Sequence, residues 1–419
     1  MNRAFVVLVI IYSLTGLACG SSPTDGGDSS TAADPEPSSD QVPVGPSDDS
    51  PAPPSVPGVS ADEVLFGQSA AFSGPARALG LDMRLGIEMA FREVNDQGGV
   101  HGRQLRLESL DDTYEPELAI ANTIRLIEDK QVFALIGEVG TPTSRSATPV
   151  AAAADVPFIA PFTGAAFLRD DDWQNIVNLR ASYAQETEEM VERMTADLGI
   201  DRIAIMYQDD SFGRTGYQGA LAALHRRDME PVSVGLYPRN TVAVKTGLLD
   251  LKAGRPEGVI IIGAYEPVAT LIAWARHTGF DPVFITISFV GSNALAVELG
   301  PYGEGVYVTQ VVPFPTDDSI PIVAAYLDTL ETYYTGTEPG FVSLEGYMAG
   351  KLAIAGLDSC GPELTRVCFL SALLDSQAMD LDGFPLYFGE TDNQGSDQVF
   401  LTVIGPNGRY RPTDTLLKR

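Results

Sequence analysis

The sequence predicts an α/β protein built as two doubly wound, Rossmann-like lobes with a hinge and an interlobe cleft. Three observations carry this. Strand, loop and helix patterns recur about every 30 residues, the spacing of parallel βαβ units. The plan runs once to near residue 180 and then repeats. Loops rich in Gly, Ser and Thr fall at the carboxyl ends of strands, where open parallel sheets take their ligands.

The chain has 419 residues, enough for two core-bearing lobes after a leader and a linker are set aside. A hydrophobic content of 44% with a mean hydropathy of +0.04 describes an ordinary globular body. The formal charge of −29 argues against a surface for nucleic acid or anionic membrane, which needs clustered Lys and Arg, and leaves room for a local cationic pocket.

Residues 1–18 read as a signal peptide. MNR is followed by AFVVLVIIYSLTGLA, an apolar run too short for a good membrane span. It stops at Ala18-Cys19, which resembles a bacterial lipoprotein signal with Cys19 as the lipidated residue, although Gly16 stands where an aliphatic residue is usual. From there to residue 61 the chain is rich in Pro, Ser, Gly and Asp. Residues 20–60 hold seven acids, no aromatics and no Lys or Arg, which makes this stretch a disordered acidic linker.

Folded elements then follow in order. EVLFGQSAAFSG (63–74) is a strand breaking into a small-residue loop. LDMRLGIEMAFREVNDQGG (81–99) is an amphipathic helix with Met83, Ile87, Ala90 or Phe91, and Val94 inward. QLRLESL (104–110) is a strand, and PELAIANTIRLIEDK a helix with Ile120, Ile124 and Ile127 inward. VFALIG (132–137) is a buried strand, followed by the loop EVGTPTS, a small-residue helix, and the short strand VPFIAP (156–161) with its loop FTGA.

NIVNLR (175–180) closes the first pass, and ASYAQETEEMVERMTADLG opens the second as a helix. RIAIMY (202–207), VSVGLY, GVIIIG (258–263), PVFITIS (282–288) and GVYVTQ (305–310) are its strands. Between them lie YQGALAALHRRD, TVAVKTGLLDLKAG and PVATLIAWARHTG as helices, the last starting at Pro267. A helix around 319–334 and FVSLEGYMAGKLAIAGLD (341–358) return to the first lobe, and strands near 384–388 and 398–405 end the chain. The expected lobes are 62–181 with 312–385, and 182–311 with 386–419, with crossings near 180, near 311 and after about 385.

The stretch 131–169 holds the most chemistry. Thr141 stands where an N-cap belongs and Pro142 at the first helical position. Either Thr141 only caps the helix, or its hydroxyl, that of Thr143, and the N–H groups of Thr143 and Ser144 face outward together as a site for a carboxylate or another small anion.

AFSGPARALG, then MRLGIEMAFREVNDQGGVHGRQLRLESLDDTYEPELAIANTIRLI, then FALIGEVGTPTSRSATPVAAAADVPFIAP, resembles the branched-chain amino acid (Leu/Ile/Val) type of periplasmic substrate-binding protein. YQDDSFGRTG and GVIIIGAYEPVATLIAWARHTGF look like its second lobe. The resemblance spans 62–405. It implies a type I periplasmic binding fold, a periplasmic or cell-envelope location with the membrane reached only through the lipid anchor, no cofactor, and capture of an amino acid or related compound for an ABC permease complex. It also implies that Thr141 is the main hydroxyl of a carboxylate loop. Phe162, Thr163 and Gly164 occupy the next ligand loop, Phe212 stands where the family often has Tyr, and Tyr265 and Tyr347 match pocket aromatics. Just after the strand near 285, where amino-acid binders place an acid for the ammonium, this chain has Ser288 and Phe289. Glu138, Glu266 or Glu345 then substitutes, or the ligand is not an α-amino acid.

Other chemistry is not signalled. The chain has no GxxxxGK[ST], no strand–GxGxxG–helix unit, no GxSxG and no HExxH. His101, His225 and His277 are far apart, and acid runs such as Asp209-Asp210 read as solvated loop charge. No metal site is expected, and no enzyme. Cys360 and Cys368 either pair in an oxidising compartment or remain structural thiols. Two rival readings stand beside transport: a ligand-sensing receptor domain of the same fold with a signalling partner, and a periplasmic hydrolase, for which no nucleophile–base pair is visible.

Overall fold

The computed structural model describes residues 56–170, 172–389 and 391–417. The expected signal peptide, Cys19 and the expected linker up to residue 55 lie outside the described residues.

The first sheet is assembled from β1 (Glu63–Ala70), β2 (Gln104–Asp111), β3 (Ala134–Ile136), β4 (Phe158–Ile159) and β5 (Ile176–Val177), in the order β2-β1-β3-β4-β5 with every pair parallel. Its helices are α1 (Arg77–Asp96), α2 (Pro116–Glu128) and α3 (Thr141–Ala153). After a crossing at 178–182, the second lobe runs α4 (Tyr183–Leu198), β6 (Ile203–Asp209), α5 (Ser211–His225), β7 (Val234–Pro238), α6 (Lys245–Gly254), β8 (Gly258–Ile262), α7 (Tyr265–His277), β9 (Val283–Thr286), α8 (Ser292–Leu299) and β10 (Tyr307–Gln310). The chain returns through α9 (Pro321–Tyr333), α10 (Phe341–Cys360) and α11 (Arg366–Leu374), makes the hairpin β11 (Ala378–Leu381)–β12 (Phe384–Tyr387), and ends with β13 (Phe400–Ile404) and β14 (Tyr410–Pro412). The second sheet is ordered β14-β13-β10-β9-β8-β6-β7, with β13 antiparallel to both β10 and β14.

Local chemistry explains the elements. β8 is Gly-Val-Ile-Ile-Ile and buried at every position, as a central parallel strand covered on both faces must be. α4 begins with a capping box between Ser182 and Gln185 and stops at Gly199, whose φ of 63° suits the left-handed cap. α10 lies directly on α1. A Cβ on Gly86 would fall 2.0 Å from the Ser343 carbonyl oxygen, and one on Gly346 would fall 2.3 Å from that of Met83. Paired glycines therefore let the two backbones touch. A disulfide joins Cys360 to Cys368 at a Cα–Cα distance of 5.6 Å, tying the end of α10 to α11.

Four local expectations shift. α2 buries Ala119, Thr123 and Leu126, leaving Ile120 and Ile124 at 37% and 38% exposure. It leans on α3, and small side chains allow that approach where isoleucines would hold the helices apart. α5 starts at Ser211, well before Tyr217, because the Asp210 carboxylate caps it by accepting from the Gly213 N–H at 3.0 Å. α7 starts at Tyr265, two residues ahead of Pro267. α3 includes Thr141, so Gly140 takes the cap position, and its φ of 109° is one that a side chain resists.

Candidate functional site

Two loops of the first lobe lie side by side because the pairing of β3 and β4 continues beyond both strands. Val139 bridges Phe162, the Phe162 N–H donates to the Glu138 carbonyl at 2.7 Å, and the Gly140 N–H to that of Phe162 at 3.3 Å. This register sets Thr141 against Thr163, whose hydroxyls are 2.7 Å apart and fully buried. Thr141 is thus no cap; its hydroxyl crosses to the neighbouring loop. The Thr143 hydroxyl is turned back, donating to the Val139 carbonyl at 2.6 Å. The Ser144 N–H is taken by the Gly140 carbonyl at 3.1 Å, while its hydroxyl is buried without a partner among the described residues. The outward cluster expected from this loop therefore reduces to the Thr141 hydroxyl and the Thr143 N–H, with the unpartnered Ser144 hydroxyl behind them.

Gly164 brings the crossing against this pair. A Cβ there would fall 2.7 Å from the Tyr183 ring, and the Tyr183 N–H donates to its carbonyl at 2.8 Å. The Tyr183 hydroxyl lies beside Thr163 and Thr141, is buried, and makes no hydrogen bond among the described residues. Burial pushes its pKa up to about 12, against the pull of Arg180 and of the two threonine hydroxyls.

Arg180, 1% exposed, sits at the centre of the crossing. Its Nη2 donates to the Ser288 hydroxyl and lies 3.4 Å from Glu186; its Nη1 is 3.4 Å from Glu345. Its guanidinium carbon is 4.8 Å from the Phe162 ring centre and 6.0 Å from that of Tyr183. Glu186 is saturated: it accepts from the Ser288 N–H at 2.8 Å, the Ser288 hydroxyl at 2.9 Å and the Thr309 hydroxyl at 2.6 Å. Burial pushes Glu345 up to about 7, with Arg180 and Arg169 opposing it and Glu186 adding to it. Arg169 donates to the Arg180 carbonyl at 2.8 Å, and burial, with Arg180 beside it, pulls it down to about 9.

The second lobe contributes aromatic walls. Phe289, in the turn after β9, has its ring centre 4.5 Å from Phe212, 5.3 Å from Phe162 and 6.2 Å from Tyr114. Phe212 is also 5.5 Å from Tyr183. Rings from both lobes thus meet around one point, next to the hydroxyl pair. Tyr265 stands at the rim: its hydroxyl lies beside the α1 backbone at Ala78, and its ring is beside Gly291, where a Cβ would press on Leu79 of the first lobe.

Tyr347 does not join them. It is fully buried between helices of the first lobe, its hydroxyl donating to Glu93 and its ring 5.8 Å from that of Tyr326. Two residues along a helix point in nearly opposite directions, so it is Glu345 that faces the crossing. Of the acids proposed to replace the missing one near 285, Glu345 faces Arg180, Glu266 is half-buried at the start of α7, and Glu138 is buried beside Asp112 with neither oxygen hydrogen-bonded among the described residues. Burial, then the Asp112 charge, pushes Glu138 well above the carboxylate range.

Sequence reasoning missed Arg180, Tyr183 and Glu186. Their one signal was a lone Arg at a strand end, followed by an aromatic and an acid, in a chain poor in cations. Among the described residues no three His, Cys, Asp or Glu side chains gather closely enough for a metal ion.

Comparison with known proteins agrees with the two-lobed α/β fold. The family model described as periplasmic binding protein matches residues 63–409. A solved structure of a possible leucine/isoleucine/valine-binding protein from Rhodopirellula baltica SH 1 is 39% identical, with a TM-score of 0.82 over 85% of this chain and 98% of that one. A substrate-binding periplasmic protein from Ralstonia solanacearum is 25% identical, with a TM-score of 0.80 over 84% of this chain and all of that one (100%). Leu/Ile/Val-binding protein homolog 7 of Brucella abortus (strain 2308) is 26% identical over 309 residues, 71% of this chain and 77% of that protein.

Proposed function

Because this chain belongs to the periplasmic binding protein family, we propose that it captures a small carboxylate-bearing ligand between its lobes and delivers it to an ABC importer. Members of the family bind ligands without transforming them, so the chain is not an enzyme. The observation that carries the ligand class is the meeting of the Thr141 and Thr163 hydroxyls, 2.7 Å apart, beside the unpartnered Tyr183 hydroxyl. One threonine hydroxyl donates to the other, so the pair keeps one O–H and Tyr183 adds a second, which a carboxylate accepts in a dry setting, where such bonds are strongest.

In this reading the first turn of α3, with Thr141, Thr143 and Ser144, and the Thr163-Gly164 loop hold the head of the ligand. Phe162, Phe212, Phe289, Tyr265 and Ser288 enclose its body. The crossings near 180, near 311 and after 385 act as the hinge that opens the lobes. Cys19 carries a lipid, and the acidic linker tethers the body to the cell envelope within reach of the permease. No helix of the described residues is long and apolar enough to cross a membrane.

The test is chemical. Protein purified without unfolding is denatured and the released small molecules are identified by mass spectrometry, then cells lacking the gene are assayed for uptake of the same compound. A released carboxylate whose uptake falls in those cells supports the proposal. A released compound with no carboxylate, or unchanged uptake, contradicts it.

A further inference from the structure

A buried arginine with idle donors is expensive unless something is meant to take them. Arg180 is such a residue: its Nε and Nη1 make no hydrogen bond among the described residues, and Glu345 stands 3.4 Å from Nη1 as a loose ion pair. These N–H groups and the Thr141, Thr163 and Tyr183 hydroxyls approach one another around Phe162. Every one of these groups can donate. Of the acids that face Arg180, Glu186 is committed to Ser288 and Thr309, and Glu345 makes only the loose ion pair; Glu138, whose oxygens are unbonded among the described residues, is buried beside Asp112, and burial and that charge hold it well above the usual carboxylate range.

We propose that Arg180 is the charge partner of the ligand, so that the site takes a carboxylate lacking an α-ammonium group, such as a 2-oxo, 2-hydroxy or simple carboxylic acid with an aliphatic or aromatic body. This rests on the reading of the cleft as a carboxylate site and names the class within it. An ammonium one carbon away from the carboxylate would be set beside a buried guanidinium, and the two acids that face that guanidinium, Glu186 and Glu345, already answer it. The Phe162, Phe212 and Phe289 rings suit an apolar body, and Ser288, tied down by Arg180 and Glu186, supplies no negative charge where an ammonium would need one.

The experiment is calorimetric titration of the full-length protein, refolded free of bound compounds, with matched pairs: 4-methyl-2-oxopentanoate against leucine, and 3-phenylpropanoate against phenylalanine. In at least one pair the deaminated acid binds about 10-fold or more tightly than its partner. Glu345→Gln, which frees Nη1 while keeping Arg180 buried, strengthens that binding several-fold, and Glu138→Gln leaves it within about twofold. Amino acids that bind as tightly as their deaminated partners overturn the proposal and leave the carboxylate site standing, and loss of their binding in Glu138→Gln would move the ligand's cation to Glu138. If no carboxylate of either kind binds, the carboxylate site itself fails and this assignment with it.

Discussion

Glu115 of the first lobe accepts a hydrogen bond from Arg239 of the second, Oε2 to Nη2, at 2.6 Å, and its other oxygen accepts from Asn240 at 2.6 Å. The pair joins the start of α2 to the segment after β7, across the face where the lobes meet. Its partners are 37% and 24% exposed, so water and salt weaken it.

On the proposed function, this pair clasps the lobes when they close over a ligand. Glu115→Gln is expected to speed release of bound ligand by about threefold to fivefold, equivalent to roughly 1 kcal/mol, with little change in capture rate. Stopped-flow dissociation at low and high salt checks this. The wild-type rate should rise with salt, and the variant's should not.

The contact between α1 and α10 predicts a stability effect remote from the cleft. Gly346→Ala forces the α10 backbone away from Met83 and should cost about 1–3 kcal/mol or more. Urea unfolding of the variant measures it. An unchanged midpoint would mean that the helices are not in backbone contact.

Stability should fall as the solution turns alkaline. Burial raises Glu345 from 4.5 to about 7, and Asp112 from 3.8 to about 7 despite hydrogen bonds from Tyr114 and Ser69. A carboxyl whose folded pKa lies above its unfolded value binds its proton more tightly when folded. It costs nothing below the unfolded pKa, and its penalty grows as pH rises through the window from about 4 to about 7. For Glu345 the full penalty is on the order of 3 kcal/mol. Denaturation at pH 5 and at pH 8 should show the protein more stable at pH 5. Glu345→Gln should flatten part of that difference, even though Arg180, Arg169 and Glu186 all face the same group.

The alternation of strands and helices was readable because burial writes a period into the sequence: β8 and the Met83–Ile87–Ala90 face of α1 were found this way. Where contact is made by small residues the period misleads, as on α2, where Ala119 and Thr123 turn inward and Ile120 and Ile124 do not. Thr141 was visible as a polar group at a helix start, but its partner Thr163 is set by strand register, which a one-dimensional reading does not contain. Tyr347 resembled a pocket aromatic, yet helix phase puts Glu345 toward the crossing instead. Arg180 had no reading of its own, because its meaning comes from Ser288 and Glu345, each more than a hundred residues away.

The central claim is that a small carboxylate is held by the hydroxyl pair between the lobes. The direct measurement is thermal unfolding of the ligand-stripped, full-length protein against a panel of amino acids and their oxo, hydroxy and deaminated counterparts, repeated with Thr141→Val. A ligand at about 1,000 times its Kd adds roughly 4 kcal/mol, which raises the melting temperature by several degrees. The account predicts such a rise for at least one carboxylate in the wild type. It also predicts a weakening of about 10-fold to 100-fold in Thr141→Val, the value of one hydrogen bond to a charged group. A shift of the same size in the variant, or a shift produced only by compounds without a carboxylate, would contradict it.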